Sequence, residues 1–227
     1  VKTDRKDAVK IANYGLDRWL TLPRYVPEEN TRLLLKNCYR QYRQYCKVQT
    51  VLKNNLISLL DMTFPNANRL FVSPARADGS EKWVDFVAEF WHCECVSERS
   101  LKSFVNKYWR WCRKHGYNFS EEKAHAIYDE ASGHIGVMPK SETTKLLVEQ
   151  AVSQLSATSA ALAALKQEMQ SLSSQLPEYP VVMGMFGVGP ILGPQLIAEI
   201  GDVRRFYSKK ALVAYAGIDA PPNDSGD

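Results

Sequence analysis

The sequence predicts a mainly α chain: two long coiled-coil arms flank a helical insert, and a small helical unit built on a glycine hairpin follows. Three observations carry this. Apolar residues recur at alternating three- and four-residue spacing in two separate stretches. Proline and glycine divide the segment between those stretches into short pieces. Gly187-Val188-Gly189-Pro190 then leads into a further apolar stripe at helical spacing.

Taken in order, residues 1–20 predict a helix, with Asp4 and Asp7 one turn apart and Val9, Ile11, Ala12 and Leu16 as its apolar positions. Pro23 and Pro27 break it. A second helix is expected to begin near Pro27, a good first helical residue, with Glu28 and Glu29 suiting the positive end of the helix dipole. Its heptad runs Leu35, Cys38, Tyr42, Tyr45, Leu52, Leu56 and Leu59, interrupted by Gln49. Between Asn30 and Asp61 it carries Arg32, Lys36, Arg40, Arg43, Lys47 and Lys53 and no acid, which predicts a positive outer face.

The second arm repeats the pattern through Val148, Ala151, Leu155, Thr158, Leu162, Leu165, Met169, Leu172 and Leu176. Heptads leave open whether the arms pair with each other or with another subunit. Between them, short helices are expected around Pro74, Gly79, Gly116 and Gly133. Leu101, Phe104, Val105, Tyr108, Trp111 and Cys112 share one helical face, while Lys102, Lys107, Arg110, Arg113 and Lys114 lie mostly off it. The aromatics read as core and the cations as surface.

Composition adds bounds. In 227 residues, 45% hydrophobic, there is material for a core, and no uncharged apolar run reaches membrane-spanning length. Asp4, Arg5, Lys6 and Asp7 occupy the place of a signal peptide's apolar centre, so a soluble, intracellular protein is expected. Five scattered cysteines point to reduced thiols. A net charge of +4 permits a nucleic-acid partner without requiring one. Because the chain opens on Val1, it is expected to be an internal piece of a longer protein.

Several groups are candidates for chemistry. Gly187 and Gly189 allow a tight turn, and amides at the start of the next helix suit a phosphate; a plain turn between packed helices is the other reading. Arg204, Arg205, Lys209 and Lys210 tip the balance toward contact with a DNA backbone. Asp4 and Asp7 are spaced to share a divalent metal, but local sequence alone favours Thr3 or Asp4 as a helix cap with Asp7 suiting the dipole. Ser225, between Asp224 and Gly226, is a turn residue or a nucleophile, and local sequence does not separate the two. Trp91-His92-Cys93-Glu94-Cys95 lacks a second ligand pair at zinc spacing and reads as packing.

These residues resemble the DEDD-type insertion-sequence transposases of the one-ten family, which are RNA-guided DNA recombinases. The likeness rests on Lys2-Thr-Asp-Arg-Lys-Asp-Ala8, the coiled-coil middle, Gly187-Val-Gly-Pro190, Ala198-Glu-Ile-Gly-Asp202, Arg205-Phe206, Ala214-Tyr-Ala-Gly-Ile218 and Ser225-Gly226. The resemblance implies a four-acid Mg2+ site on an RNase-H-like α/β domain, and a C-terminal transposase domain that supplies a nucleophilic serine. Asp4 and Asp7 match the last two acids and Ser225 the nucleophile. The first Asp and the Glu have no counterpart, so the chain alone is expected to be incomplete as a catalyst. Gly193 stands where the family would carry a small alanine, and Asp224 where an uncharged polar residue is common.

The organisation this implies is the end of an RNase-H-like domain over 1–26, arm one over 27–62, the insert over 63–140 and arm two over 141–178. A truncated transposase domain occupies 179–227. Expected partners are donor and target DNA, a guide RNA, and further copies in a dimer or tetramer, in a bacterial or archaeal cytoplasm near the nucleoid; Arg40, Arg43, Lys47, Arg110 and Arg113 are candidates to meet the guide RNA or the DNA backbone. The alternatives are a non-catalytic helix-hairpin-helix DNA-binding module and a coiled-coil scaffold.

Overall fold

The computed structural model describes residues 4–21 and 29–217, and among them there is no β-strand. The first helix, α1 (Asp4–Asp17), buries none of its residues against other described elements. No helix among the described residues is long and apolar enough to cross a membrane.

Two helices dominate. α2 (Asn30–Thr63) has 34 residues and α7 (Glu142–Ser174) has 33. The helix expected to start at Pro27 starts instead at Asn30, because Glu29 has an extended backbone (φ −56°, ψ 137°) that helical geometry does not allow. Pro23, Pro27 and Glu28 lie outside the described residues.

α2 and α7 pair with each other, antiparallel. Arg32 meets Glu178 at one end, Gln49 Nε2 donates to Ser159 Oγ at 2.8 Å midway, and Leu56 and Leu60 share a core with Val148, Ala151 and Leu155 at the other. The polar interruption at Gln49 is thus answered across the seam. The seam residue of α7 is Ser159, which is buried, rather than the expected Thr158, which is half-buried. The departure is local: beyond it Leu162, Met169, Leu172 and Leu176 are buried at their predicted positions, and Ser159 turns inward where it answers Gln49.

Between the long helices the chain makes a 3-10 turn at Ala67–Arg69 and four short helices: α3 (Lys82–Glu89), α4 (Glu94–Ser97), α5 (Leu101–His115) and α6 (Glu121–Gly133). Serines start α5, α6 and α7, where Ser100, Ser120 and Ser141 accept the N–H of Ser103, Lys123 and Thr144. Phe86 centres the core, its ring 4.7 Å from Phe90, 5.3 Å from Phe71 and 5.6 Å from Trp111. Phe104, Tyr108, Trp111 and Cys112 of α5 are buried, while Lys102, Arg110, Arg113 and Lys114 are exposed, as the helical stripe predicts. This core continues into the coil through Leu56, Leu60 and Leu155.

At the far end, α8 (Tyr179–Met183), α9 (Leu192–Ile200), a 3-10 turn at Val203–Arg205 and α10 (Lys209–Tyr215) follow. Ile197 and Ala198 of α9 pack on Leu35 of α2 and on Met169, Leu172 and Leu176. The coil therefore carries the insert on one end and the hairpin unit on the other.

The turn at Arg76–Ser80 touches the coil at its polar layer. Gly79 has φ +87°, and a Cβ there would lie 2.4 Å from the Ser159 carbonyl oxygen. Gly79→Ala is expected to cost about 2–3 kcal/mol through backbone strain plus collision with a helix backbone. Gly116→Ala, where φ is +65° and only the Arg76 side chain is near, should cost about 1 kcal/mol. Thermal unfolding of the two variants checks the difference, and equal melting temperatures would contradict this packing.

Candidate nucleic-acid interface and carboxylate pair

Asp4 and Asp7 both lie in the first turn of α1, where negative charge suits the helix dipole. Asp4 is exposed and Asp7 half-buried. Their spacing gives two carboxylates on one face, enough for part of an oxygen shell around a divalent cation. No cluster of three or more His, Cys, Asp or Glu able to hold a metal exists among the described residues. Ser225 lies outside the described residues.

His92 is not a metal ligand. It is fully buried, its Nε2 donates to the Met138 carbonyl at 3.0 Å and its Nδ1 accepts the Glu94 N–H at 3.2 Å. Burial pushes the thiols of Cys93 and Cys95 up, away from the thiolate a metal needs.

The glycine hairpin joins α8 to α9. Gly187 has φ +80°, the left-handed conformation glycine accepts freely, and the Gly193 N–H closes the first turn of α9 onto the Gly189 carbonyl at 2.9 Å. With Gly193 engaged and Pro194 lacking an N–H, the set of open amides at this helix start is smaller than the Gly-x-Gly pattern suggests. A Cβ at Gly193 would lie 2.5 Å from the Met183 sulfur, so the glycine lets α8 and α9 approach.

The basic residues beyond the hairpin divide into two kinds. Arg204 is clamped to Asp202 through Nε–Oδ1 and Nη2–Oδ2 contacts of 2.9 Å, and hydrogen bonds from its side chain and N–H hold the Asp202 carboxyl at about 2. Its charge is answered within the turn. Arg205 lies over the rings of Phe206 (4.5 Å) and Tyr215 (4.7 Å) and stays exposed, as do Lys209 and Lys210 at the start of α10.

Arm one divides in the same way. Arg40, Arg43 and Lys47 are exposed, whereas Lys53 pairs with Glu81 at 2.6 Å. Arg32, counted by sequence in the positive outer face, is instead 5% exposed and bound through both terminal nitrogens to the Glu178 carboxylate. It sits one turn before Leu35 on the buried face, the one sequence signal for its role. On α5, Arg110 and Arg113 are exposed, Arg113 over the Trp109 ring at 4.9 Å. Exposed cations therefore lie on α2, on α5, and on the turn and helix beyond the hairpin.

The Arg32–Glu178 pair fastens the start of α2 to the entry of the hairpin unit. Hydrogen bonding to Arg32 holds the Glu178 carboxyl below the usual carboxylate range. Its stabilisation is thus present above pH of about 4.3 and is lost as pH falls through the lower folded value. Glu178→Gln should cost about 1–2 kcal/mol by removing the bidentate partner of a buried guanidinium that keeps only Glu29, at 3.3 Å, while Arg32→Met with Glu178→Leu should recover most of it. Urea unfolding of the single and double variants at neutral pH measures the coupling, and additive effects would contradict it.

Comparison with known families adds two matches. A model described as "Transposase", of the DEDD type found in IS110 elements, matches residues 1–65, and one described as "Transposase IS116/IS110/IS902 family" matches residues 179–227. No curated protein and no solved structure matches the chain. Residues 1–65 contain Asp4, Asp7 and the first arm as far as Leu59, and residues 179–227 contain the glycine hairpin, the basic turn and Ser225. With both matches drawn from one group of transposases and falling in the expected order at its two ends, the chain belongs to the IS110 family of transposases.

Proposed function

We propose that this transposase cleaves and rejoins DNA strands through a covalent serine-phosphate link, guided by a structured RNA. The observation that carries the reading is the placement of its candidate groups: Asp4 and Asp7 fall within the DEDD-type match and Ser225 within the transposase match. In the first step the Ser225 oxygen bonds to phosphorus, the bond from phosphorus to a deoxyribose oxygen breaks, and that oxygen leaves with a proton. Reversal by a different strand's hydroxyl completes exchange and conserves the bond energy, so no nucleotide hydrolysis is needed.

Asp4 and Asp7 suit Mg2+, a hard cation that takes carboxylate oxygens, and each supplies one donor group; waters, substrate oxygens or further acids would complete the shell. Bound there, the ion would stabilise charge gathering on phosphate oxygens. The chain's own residues bind and orient. Arg205, Lys209 and Lys210 beside the hairpin suit a DNA backbone, and Arg40, Arg43, Lys47, Arg110 and Arg113 suit a guide RNA or the same DNA. Leu16, Trp19 and Leu20 are at least three-quarters exposed, which supports seating of this N-terminal segment on further apolar surface, as a helix of an RNase-H-like domain would require. A site composed from two copies, and hence a homo-oligomer, is part of this reading.

In the complete transposase, Ser225→Ala should lower formation of the covalent DNA adduct by roughly three orders of magnitude or more. Nucleic-acid binding should hold within about twofold, since one hydroxyl contributes little to a phosphate-dominated affinity. Denaturing gels on labelled DNA read the adduct; its persistence in the variant would reject Ser225 as the nucleophile.

A further inference from the structure

Three cations converge on the insert at a place that neither the hairpin nor the coil accounts for. Arg76 leaves the turn that touches Ser159, Lys82 opens α3 and Lys123 lies in the first turn of α6. Their charged groups gather around two rings. Arg76 lies 3.9 Å over Tyr117, Lys82 lies 5.1 Å from the same ring and 5.0 Å from Phe71, and Lys123 lies 5.5 Å from Phe71. Arg76, Lys82, Gly116 and Tyr117 line one pocket of about 340 Å³.

The nearby carboxylates are already engaged. Asp78 accepts from the Ser80 N–H and hydroxyl, Asp85 accepts from the Tyr117 hydroxyl at 2.5 Å, and Glu81 holds Lys53 and the Trp83 indole N–H. Among the described residues, none of Arg76, Lys82 and Lys123 makes an ion pair. Burial, together with the neighbouring positive charges of Lys123 and Arg76, pulls the Lys82 ammonium below its ordinary pKa. Like charges held together in a half-buried pocket oppose folding, and an anion entering the pocket relieves that cost.

The aromatic surroundings narrow the kind of anion. Tyr117 is stacked on Trp111 at 5.2 Å and covered by Arg76, so its ring is not offered to a base. The Arg76 Nη2 is tied to the carbonyls of His115 (2.8 Å) and Gly116 (3.1 Å), which fixes the guanidinium at the rim. What remains is positive charge without a stacking platform or a reading edge. Such a site grips phosphate and ignores sequence.

We propose that the pocket lined by Arg76 and Lys82, with Lys123 beside it at the Phe71 ring, is a phosphate site that clamps the backbone of a nucleic-acid strand on the insert. The inference rests on the reading of the chain as a nucleic-acid-processing transposase. Free inorganic phosphate shares the chemistry, so the test has two arms.

The first arm measures binding of the full chain to a mixed-sequence 30-base-pair duplex over a range of salt, by fluorescence anisotropy. Lys82→Met with Lys123→Met keeps the apolar stems over the rings and removes both charges; it should melt no lower than the parent chain. It should weaken binding about tenfold and equally for unrelated sequences, and flatten the dependence of log affinity on log salt by about one to two. Lys82→Arg should retain both affinity and slope. The second arm follows the melting temperature with inorganic phosphate alone. Unchanged duplex affinity and slope in the folded double variant overturn the clamp; if phosphate still raises the melting point of the parent and not of the variant, the pocket takes free anion instead. If the double variant unfolds, the single substitution Lys82→Met carries the same test. An unaltered chain that binds no duplex at all contradicts the proposed function itself, and the phosphate arm then decides whether the pocket holds an anion.

Discussion

Two antiparallel helices can slide past one another unless something sets their register, and the α2–α7 pair is set by three contacts of different kinds. A buried guanidinium-carboxylate pair holds one end, an amide-hydroxyl bond marks the middle, and a core rich in aromatic rings closes the other. Each specifies position in its own way. Apolar seams alone tolerate a shift of one heptad at modest cost, whereas Gln49 facing a leucine, or Arg32 facing no acid, would strand a polar group. The placement of the insert and of the hairpin unit depends on that register.

The same logic sorts the positive charges. A count along α2 suggests one continuous basic stripe, but Arg32 and Lys53 serve the structure, leaving Arg40, Arg43 and Lys47 to face outward. Beyond the hairpin, Arg204 is held by Asp202 while Arg205 lies against rings that keep it extended. Charges answered within the chain steady its turns, and those without a carboxylate are the ones a polyanion can meet.

Periodicity made much of this legible in the sequence. The two arms, the buried stripe Phe104, Tyr108, Trp111 and Cys112, and the dismissal of the Trp91–Cys95 segment as a metal site all follow from spacing. Features that depend on residues distant in the chain did not. Arg32 and Glu178 are 146 positions apart, and Gln49 and Ser159 are 110 apart, so neither pairing leaves a local trace. The inward turn of Ser159 in place of Thr158 is local to the layer where it meets Gln49, a partner that a heptad does not reveal. The cluster of Arg76, Lys82 and Lys123 is of the same kind: three unremarkable surface cations by sequence, gathered only when α3 and α6 fold around Phe71 and Tyr117. For the carboxylates the limit is different: Asp4 and Asp7 show their spacing plainly, but among the described residues no further His, Cys, Asp or Glu joins them in a group able to hold a metal.

The length of the coil has a metric consequence. A 34-residue helix such as α2 spans roughly 50 Å, which is about fifteen steps of stacked bases at 3.4 Å each. The residues of α2 that seat the hairpin unit and the insert, Leu35 and Leu56, lie about 30 Å apart along that helix, just under one turn of duplex. The coil thus sets one spacing for its two packed units, and the turn at Arg76 and Gly79 reaches back across it to line a common cavity with Pro190 and Ile191.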